Sequence, residues 1–332
     1  MNKITVGLVT YNRPFLLKRA VKSVLNQEFK NFKLLIGNDF IKKKISFKSL
    51  GIKKDKRITI FNHKKNLGER NNKNFLLQKS KSEWFIWLAD DDYFHKDFFK
   101  IMLKNINLNK KKKIVAFYSN YSRKKLQINQ KKCKPKIFNK LEFLEGFISQ
   151  KIRLIGVYGL IRTKQLKRIK GIHATGKSFS INNKKAHIYP YCDYLVPILL
   201  SKFGDISWIE NRLVHLNTDI SSLSSYTKEY SAYISAEKYI LNKLKITIND
   251  NNYLIRKNKI FLNLFNRFAF NRLIIIKKIN PIINLLYFFK YYADKVDFRN
   301  EARKYNVECL NFNFLSIIKS IIYSFRNILD FK

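Results

Sequence analysis

Short apolar runs that end abruptly in polar side chains constrain this chain more than any other feature. Residues 4–10 (ITVGLVT) run into Tyr11-Asn12-Arg13, residues 32–37 (FKLLIG) into Asn38-Asp39, and residues 83–89 (EWFIWLA) into Asp90-Asp91-Asp92. Runs of this length, rich in β-branched and aromatic residues, read as buried strands. Residues 57–62 are a further strand of the same kind. Between the first two runs, Leu17, Ala20, Val21, Val24 and Leu25 recur at helical spacing to about Gln27, with Asn12 a candidate cap and Pro14 in the first turn. Asn66-Leu67-Gly68 reads as a turn, residues 71–79 as a helix, and residues 94–103 as the helix after the aspartates. Strands alternating with helices predict an α/β fold with a mixed, mostly parallel sheet flanked by helices. Ligands of such sheets bind beyond the carboxyl ends of the strands, where the polar groups named above stand.

The later chain carries weaker signals. Strands are expected at 114–119, 155–161, 206–209 and 212–216, and helices at 141–150 and 194–202. Residues 171–188 combine Gly, Ser, Asn and Lys without apolar periodicity and read as a loop. From about Tyr226 the pattern is helical to the end, and there is no internal repeat.

Lys and Arg number 67 against 23 Asp and Glu, a net charge of +44. Such a surface attracts polyanions: nucleic acid, anionic lipid or phosphorylated substrates. A chain rich in Lys, Asn, Ile, Phe and Tyr is also what a strongly AT-biased genome produces, so the charge alone decides nothing. A nucleic-acid-binding or other polyanion-binding protein is the alternative reading. Against it, there is no helix-turn-helix, zinc or RNP-like signature, and the cations are spread along the chain. Cys133, Cys192 and Cys309 lie far apart without a CxxC pair, which fits a reducing compartment. The amino terminus is too short in apolar residues for a signal peptide, and no uncharged window reaches the roughly 18 residues of a membrane span. A cytoplasmic location is expected.

Acids are scarce here, yet three adjoin at Asp90, Asp91 and Asp92. Stacking them costs repulsion that a divalent cation would relieve. Mg²⁺ or Mn²⁺ takes oxygen ligands, often one or two carboxylates together with substrate phosphates. The plain alternative is a solvated acidic loop capping the next helix.

In order, VTYNRPFLLKRAVKSVLNQ, FKLLIGND, NLGERNNKNF and WFIWLADDD resemble the motifs of the family 2 glycosyltransferases of GT-A fold, over roughly residues 4–100, with a weaker echo over 186–225. The resemblance implies a nucleotide-sugar donor, with uridine the expected base, a divalent metal (Mn²⁺ or Mg²⁺), and inversion at the anomeric carbon. It implies that Thr10 and Tyr11 line the base pocket, with Asn12 and Arg13 beside them at the strand end. Asp39 would face the base or ribose, and Asn66 and Gly68 would shape the turn under the nucleotide. Lys73 falls where the family commonly has Arg, keeping the charge for a phosphate but losing the planar fork. Asp92 is assigned to metal, and Asp90 and Asp91 to metal or ribose. Ala89 stands where many members have the first Asp.

An inverting transfer needs a general base for the acceptor hydroxyl. The family places an acid at the start of a later helix, and YPYCDYLVPILL puts Asp193 there, with Cys192 where a second acid is common. A helix N-cap is the competing role for Asp193. His215, in RLVHLNTDISSLS, falls where the family's His can approach the metal or diphosphate. The expected organisation is a catalytic unit over 1–225, split into a donor half (1–105) and an acceptor half (106–225), followed by a basic helical region over 226–332. Residues 253–278 and 309–329 of that region mix apolar residues and cations at near-helical spacing, which fits the surface of an anionic membrane. The expected partners are therefore a nucleotide-sugar donor, a glycan or lipid-linked glycan acceptor and the inner face of the cell membrane. A catalytically degenerate GT-A fold serving as a binding partner is the third reading.

Overall fold

The computed structural model describes residues 3–109, 112–126, 133–178, 188–217 and 230–248, two short strands at 180–181 and 184–185, and scattered positions between 259 and 268. The expectations for most of the tail after residue 248 lie outside the described residues.

The first seven elements are β1 (Ile4–Thr10), α1 (Pro14–Leu25), β2 (Phe32–Asn38), α2 (Phe47–Leu50), β3 (Ile58–Asn62), α3 (Glu69–Lys79) and β4 (Trp84–Ala89). After the aspartates come β5 (Tyr93–Phe94), α4 (Phe98–Leu108), β6 (Ile114–Ser122), β7 (Lys136–Phe138), α5 (Lys140–Ile148), β8 (Gly159–Arg162) and α6 (Thr163–Arg168). The hairpin β9 (Ser180–Ile181) and β10 (Lys184–Lys185), α7 (Cys192–Leu200), β11 (Asp205–His215) and α8 (Tyr230–Thr247) complete the described elements.

Nine strands form one sheet in the order β3-β2-β1-β4-β8-β6-β11-β5, with β7 also paired to β11. β3, β2, β1 and β4 run parallel, and Thr10 is level with Asn38 while Val9 is level with Ala89. The carboxyl ends of these strands therefore form one even edge. β8 is antiparallel to both β4 and β6, and β11 is parallel to β6. The reversed β8 brings its amino end, not its carboxyl end, to that edge.

The core is built on the central strands. Ile4, Val6 and Leu8 of β1 and Trp84 to Leu88 of β4 are fully buried, and Phe98, Phe99 and Met102 of α4 join them. Each such side chain contributes about 1.5–3 kcal/mol by leaving water, which makes β1 and β4 the rigid centre of the sheet. Among the described residues, no helix is long and apolar enough to cross a membrane.

Several local expectations are corrected. Asn12 does not cap α1: it sits in the left-handed region at φ 53°, Arg13 is the N-cap residue and makes no side-chain cap bond, and Pro14 opens the helix. Residues 93–94 pair with β11 as a strand, so the helix after the aspartates begins at Phe98 rather than 94. The two strands expected at 206–209 and 212–216 are one strand, β11, whose register against β6 shifts between Ile209 and Arg212. The strand expected at 155–161 is ordered only from Gly159, because a turn closes from the Tyr158 N–H to the Ile155 carbonyl. The loop at 171–188 contains the β9–β10 hairpin.

Helix α3 meets β2 in a close approach at Gly37. Asn72 donates from Nδ2 to the Gly37 carbonyl at 2.9 Å, and its Oδ1 meets His63 Nε2 at 3.0 Å. A Cβ on Gly37 would overlap Asn72 Oδ1 and lie 2.9 Å from Asn72 Cγ. Gly37→Ala is therefore expected to lower unfolding stability by about 1–3 kcal/mol through overpacking and the loss of a buried hydrogen bond. Urea unfolding measures it, and an unchanged midpoint would show that α3 has slack at this contact.

Candidate active site

The even carboxyl edge of the sheet gathers most of the expected site residues. Ala89 ends β4, and the three aspartates that follow diverge. Asp90 turns inward: its Oδ2 accepts from the Thr10 hydroxyl at 2.6 Å and from the Tyr11 N–H at 3.3 Å. Arg13 Nη1 lies 3.4 Å from Asp90 Oδ1 and 2.7 Å from Asp91 Oδ2, so one guanidinium spans two carboxylates. Arg19 donates to the Asp91 carbonyl at 2.5 Å and stacks over the Tyr93 ring at 5.0 Å.

Asp92 is held from two distant parts of the chain. Its Oδ1 accepts from the Asn217 N–H at 2.8 Å, and its Oδ2 accepts from the Tyr158 hydroxyl. Burial, with Asp91 adding repulsion, pushes the Asp92 carboxyl up to about 7. Asp90 is pushed up to about 6 by burial, against the opposing pull of Thr10 and Arg13. Both groups are buried carboxylates that hold protons far above the ordinary range.

His215 pairs with Tyr93 across β11 and β5, and the two rings stack at 4.3 Å. Its Nδ1 lies 3.0 Å from the Lys124 carbonyl. In the neutral ring a carbonyl accepts only from a protonated nitrogen, so this contact puts the proton on Nδ1 and the lone pair on Nε2. Ligation through Nε2 needs that tautomer.

Asp39 is buried and braces the turn before α3: Oδ1 accepts from the Leu67 N–H at 2.6 Å and Oδ2 from the Gly68 N–H at 2.8 Å. Asn66 Oδ1 accepts from the same Gly68 N–H at 2.8 Å. Gly68 stands at φ 75° as the N-cap of α3, a conformation side chains resist. Lys73 lies deep in the protein, 6% exposed, and its Nζ is 2.5 Å from Glu69 Oε1 one turn earlier. Burial works against its ammonium, but the negative groups around it, Glu69 first and Asp193 with it, outweigh this and raise its pKa. Lys73 in turn holds the Glu69 carboxyl low.

Asp193 occupies the first turn of α7. The N-cap alternative is corrected, since Tyr191 is the cap residue, in the left-handed region, and Asp193 Oδ1 accepts instead from the Tyr194 N–H at 2.9 Å. Burial raises the Asp193 carboxyl, with Lys73 pulling the other way. Cys192 beside it is pushed up to about 12 by burial, which keeps it a thiol.

Four residues at this site were not legible as site residues beforehand: Tyr158, Arg19, Glu69 and Asn217. Glu69 carried a signal, its i,i+4 spacing to Lys73. Tyr158 and Asn217 carried none, because the reversed β8 and the β5–β11 pairing deliver them.

The metal implied by the resemblance can be tested against this donor set. Among the described residues, no three His, Cys, Asp or Glu side chains form a closed cation cage. Asp92 nevertheless offers hard oxygens, each with one hydrogen bond and a remaining lone pair, and its ionised form is disfavoured until a cation offsets it. These residues fit Mn²⁺ or Mg²⁺ taken with a few protein oxygens and completed by phosphate.

A mostly parallel sheet of this order with flanking helices, polar at its carboxyl edge, is the GT-A fold. Residues 5–169 match the family model described as glycosyl transferase family 2, and through them the chain belongs to that family. An uncharacterized glycosyltransferase of Rickettsia conorii is 40% identical over 107 residues, 32% of this chain but only 18% of that protein. The GalNAc(5)-diNAcBac-PP-undecaprenol beta-1,3-glucosyltransferase of Campylobacter jejuni is 34% identical over 94 residues, 28% of this chain and 30% of that protein. The chain thus matches well under half the length of these curated relatives. The crystal structure of S. aureus TarS 1-349 in complex with UDP-GlcNAc shares the fold, with a TM-score of 0.58 at 14% identity over 80% of this chain and 72% of that one.

The raised carboxyls have a thermodynamic consequence. The folded protein holds protons on Asp90 and Asp92 that the unfolded chain has released, so ionising them costs stability as pH rises from about 4 toward 7. In the presence of EDTA, Asp92→Asn is expected to melt above the wild type at pH 8, with the gap closing toward pH 5. Scanning calorimetry checks this. An equal loss at both pH values would mean that Asp92 carries no unfavourable charge.

Proposed function

We propose that this chain moves a sugar from a nucleotide sugar, a UDP-sugar, to a hydroxyl of a glycan or lipid-linked glycan, with inversion at the anomeric carbon. The proposed setting is bacterial surface glycan assembly, such as lipopolysaccharide or capsule, at the cytoplasmic face of the membrane. The observation that carries the reading is the run of three aspartates at the sheet's carboxyl edge, with Asp90 tied to Thr10 and Arg13 and Asp92 to Tyr158 and Asn217, on a chain of this family. The UDP-GlcNAc bound to the fold relative and the undecaprenol-linked substrate named for the Campylobacter relative support the choice of donor and acceptor class.

The protein's own groups divide the work. Thr10 and Tyr11 border the base side, and Asp39 fixes the turn at Asn66 and Gly68 beneath the nucleotide. Arg13 holds Asp90 and Asp91 in place by charge. Asp92, joined by Asp90 and His215, would hold Mn²⁺ or Mg²⁺. When bound, the cation supplies neutralising charge for the departing diphosphate. Asp193 accepts the proton of the acceptor hydroxyl as that oxygen forms its bond to the anomeric carbon. The bond from that carbon to the diphosphate oxygen breaks, and the diphosphate leaves with the electron pair. Asp193 works only when ionised, and burial raises its pKa, so turnover should climb with pH along a limb lying above the ordinary carboxylate range.

Calorimetric titration of UDP, with and without Mn²⁺, tests the donor site. Metal-dependent binding to the wild type and its loss in Asp92→Ala are expected. Asp193→Asn should bind UDP as the wild type does while its release of UDP from UDP-glucose or UDP-N-acetylglucosamine falls at least about 100-fold, the scale of a lost general base. If none of UDP, GDP, CDP and dTDP bound with either metal, the enzymatic reading would be wrong and the +44 charge would point to a polyanion partner.

A further inference from the structure

Residues 155–158 touch both ends of the proposed reaction centre. At one end, the Tyr158 hydroxyl donates to Asp92 Oδ2. At the other, Gly156 lies directly on the first turn of α7. A Cβ there would overlap the Asp193 carbonyl oxygen and come within 2.7 Å of Pro197 Cδ. This approach is open because residue 197 is proline. It has no N–H to donate to the carbonyl four residues back, which belongs to Asp193. The segment itself is pinned to the rigid centre of the sheet. The Trp87 N–H donates to the Val157 carbonyl at 3.3 Å, and the buried Tyr118 hydroxyl donates to the Gly156 carbonyl at 2.9 Å.

We propose that Gly156, Tyr118 and Tyr158 are positioning residues, and that the segment 155–158 is a spacer setting the separation between Asp92 and Asp193. Gly156 seats the helix that carries Asp193, Tyr118 fixes Gly156, and Tyr158 fixes Asp92. The inference rests on the reading of Asp92 and Asp193 given above. It goes further by assigning the distance between them to three residues outside the family's motifs.

The spacer predicts a split that a loss of folding would not produce. In Gly156→Ala the new methyl meets backbone, so the first turn of α7 must shift while Asp92 stays in place. UDP binding in the presence of Mn²⁺ should stay within about twofold, while release of UDP from UDP-glucose or UDP-N-acetylglucosamine falls about 100-fold, the scale of a misplacement near 1 Å. Tyr118→Phe keeps the ring and loses only the hydroxyl that holds Gly156. It should show the same pattern at about tenfold, and it keeps the test decisive if the alanine variant does not fold. Tyr158→Phe should do the reverse at the first step, weakening UDP with Mn²⁺ about tenfold. Equal losses of binding and turnover in Tyr118→Phe, or wild-type turnover in both Gly156→Ala and Tyr118→Phe, would overturn the spacer. Wild-type turnover in Asp193→Asn would overturn the base assignment itself, a different result from a dead Asp193→Asn beside a fully active Tyr118→Phe.

Discussion

Three carboxylates in a row at the end of a buried strand repel one another, and the site is arranged around that repulsion. At about 4 Å, two like charges near a protein surface oppose each other by about 4 kcal/mol. The protein answers by sending the three side chains to different partners. Asp90 goes inward to Thr10 and the Tyr11 N–H, Asp91 outward to Arg13, and Asp92 sideways to Tyr158 and Asn217. Among the described residues, Arg13 forms the salt bridges to these side chains, and it reaches the first two. Asp92 has hydrogen bonds from neutral donors alone, and burial together with repulsion from Asp91 raises its carboxyl to about 7, above Asp90 at about 6, against a weaker pull from Lys73. The carboxylate with the least compensation inside the protein is the one with most to gain from a cation.

The departures from the family's pattern belong to one connected set. Lys73 stands in place of Arg, and Cys192 in place of an acid beside Asp193. A second acid there would add a third negative charge to Glu69 and Asp193 around a single buried ammonium. With a thiol, kept neutral by burial, Lys73 has two carboxylates to balance instead of three. A compact ammonium also suits the end-on 2.5 Å contact to Glu69 better than a planar fork would. The backbone of the same residue is fixed by the Trp87 indole, which donates to the Lys73 carbonyl at 3.0 Å. The chain has thus traded a guanidinium and an acid for an ammonium and a thiol without leaving a buried charge alone.

How much of this was legible beforehand follows from the range of each interaction. The buried runs of β1, β2 and β4 and the apolar face of α1 are local patterns, and they appear within a residue or two of where periodicity places them. The strand-end polar groups at Thr10, Asp39 and Asp90 were legible for the same reason, since a parallel sheet aligns them on one edge. The short strand at Tyr93 and Phe94 was not. Two residues have no period, and they are a strand only because β11 pairs with them from 120 residues away. The break expected in β11 was a misreading of a bulge: Glu210 and Asn211 interrupt the apolar pattern, while the backbone continues through a register shift.

The reversal of β8 explains why the most informative contacts were the least legible. In an all-parallel sheet the residues before a strand lie at the amino edge, away from any ligand. β8 runs against its neighbours, so the residues preceding it arrive at the carboxyl edge, between the aspartates and α7. Gly156 and Tyr158 are ordinary residues in an ordinary turn until strand direction is known. Once it is known, their roles follow from size and chemistry: a residue without a side chain where α7 presses closest, and a hydroxyl where a carboxylate lacks a charged partner. Strand direction is a property of the whole sheet, expressed here in the pairing of β8 with both β4 and β6. It therefore cannot be read from the sequence of β8 itself.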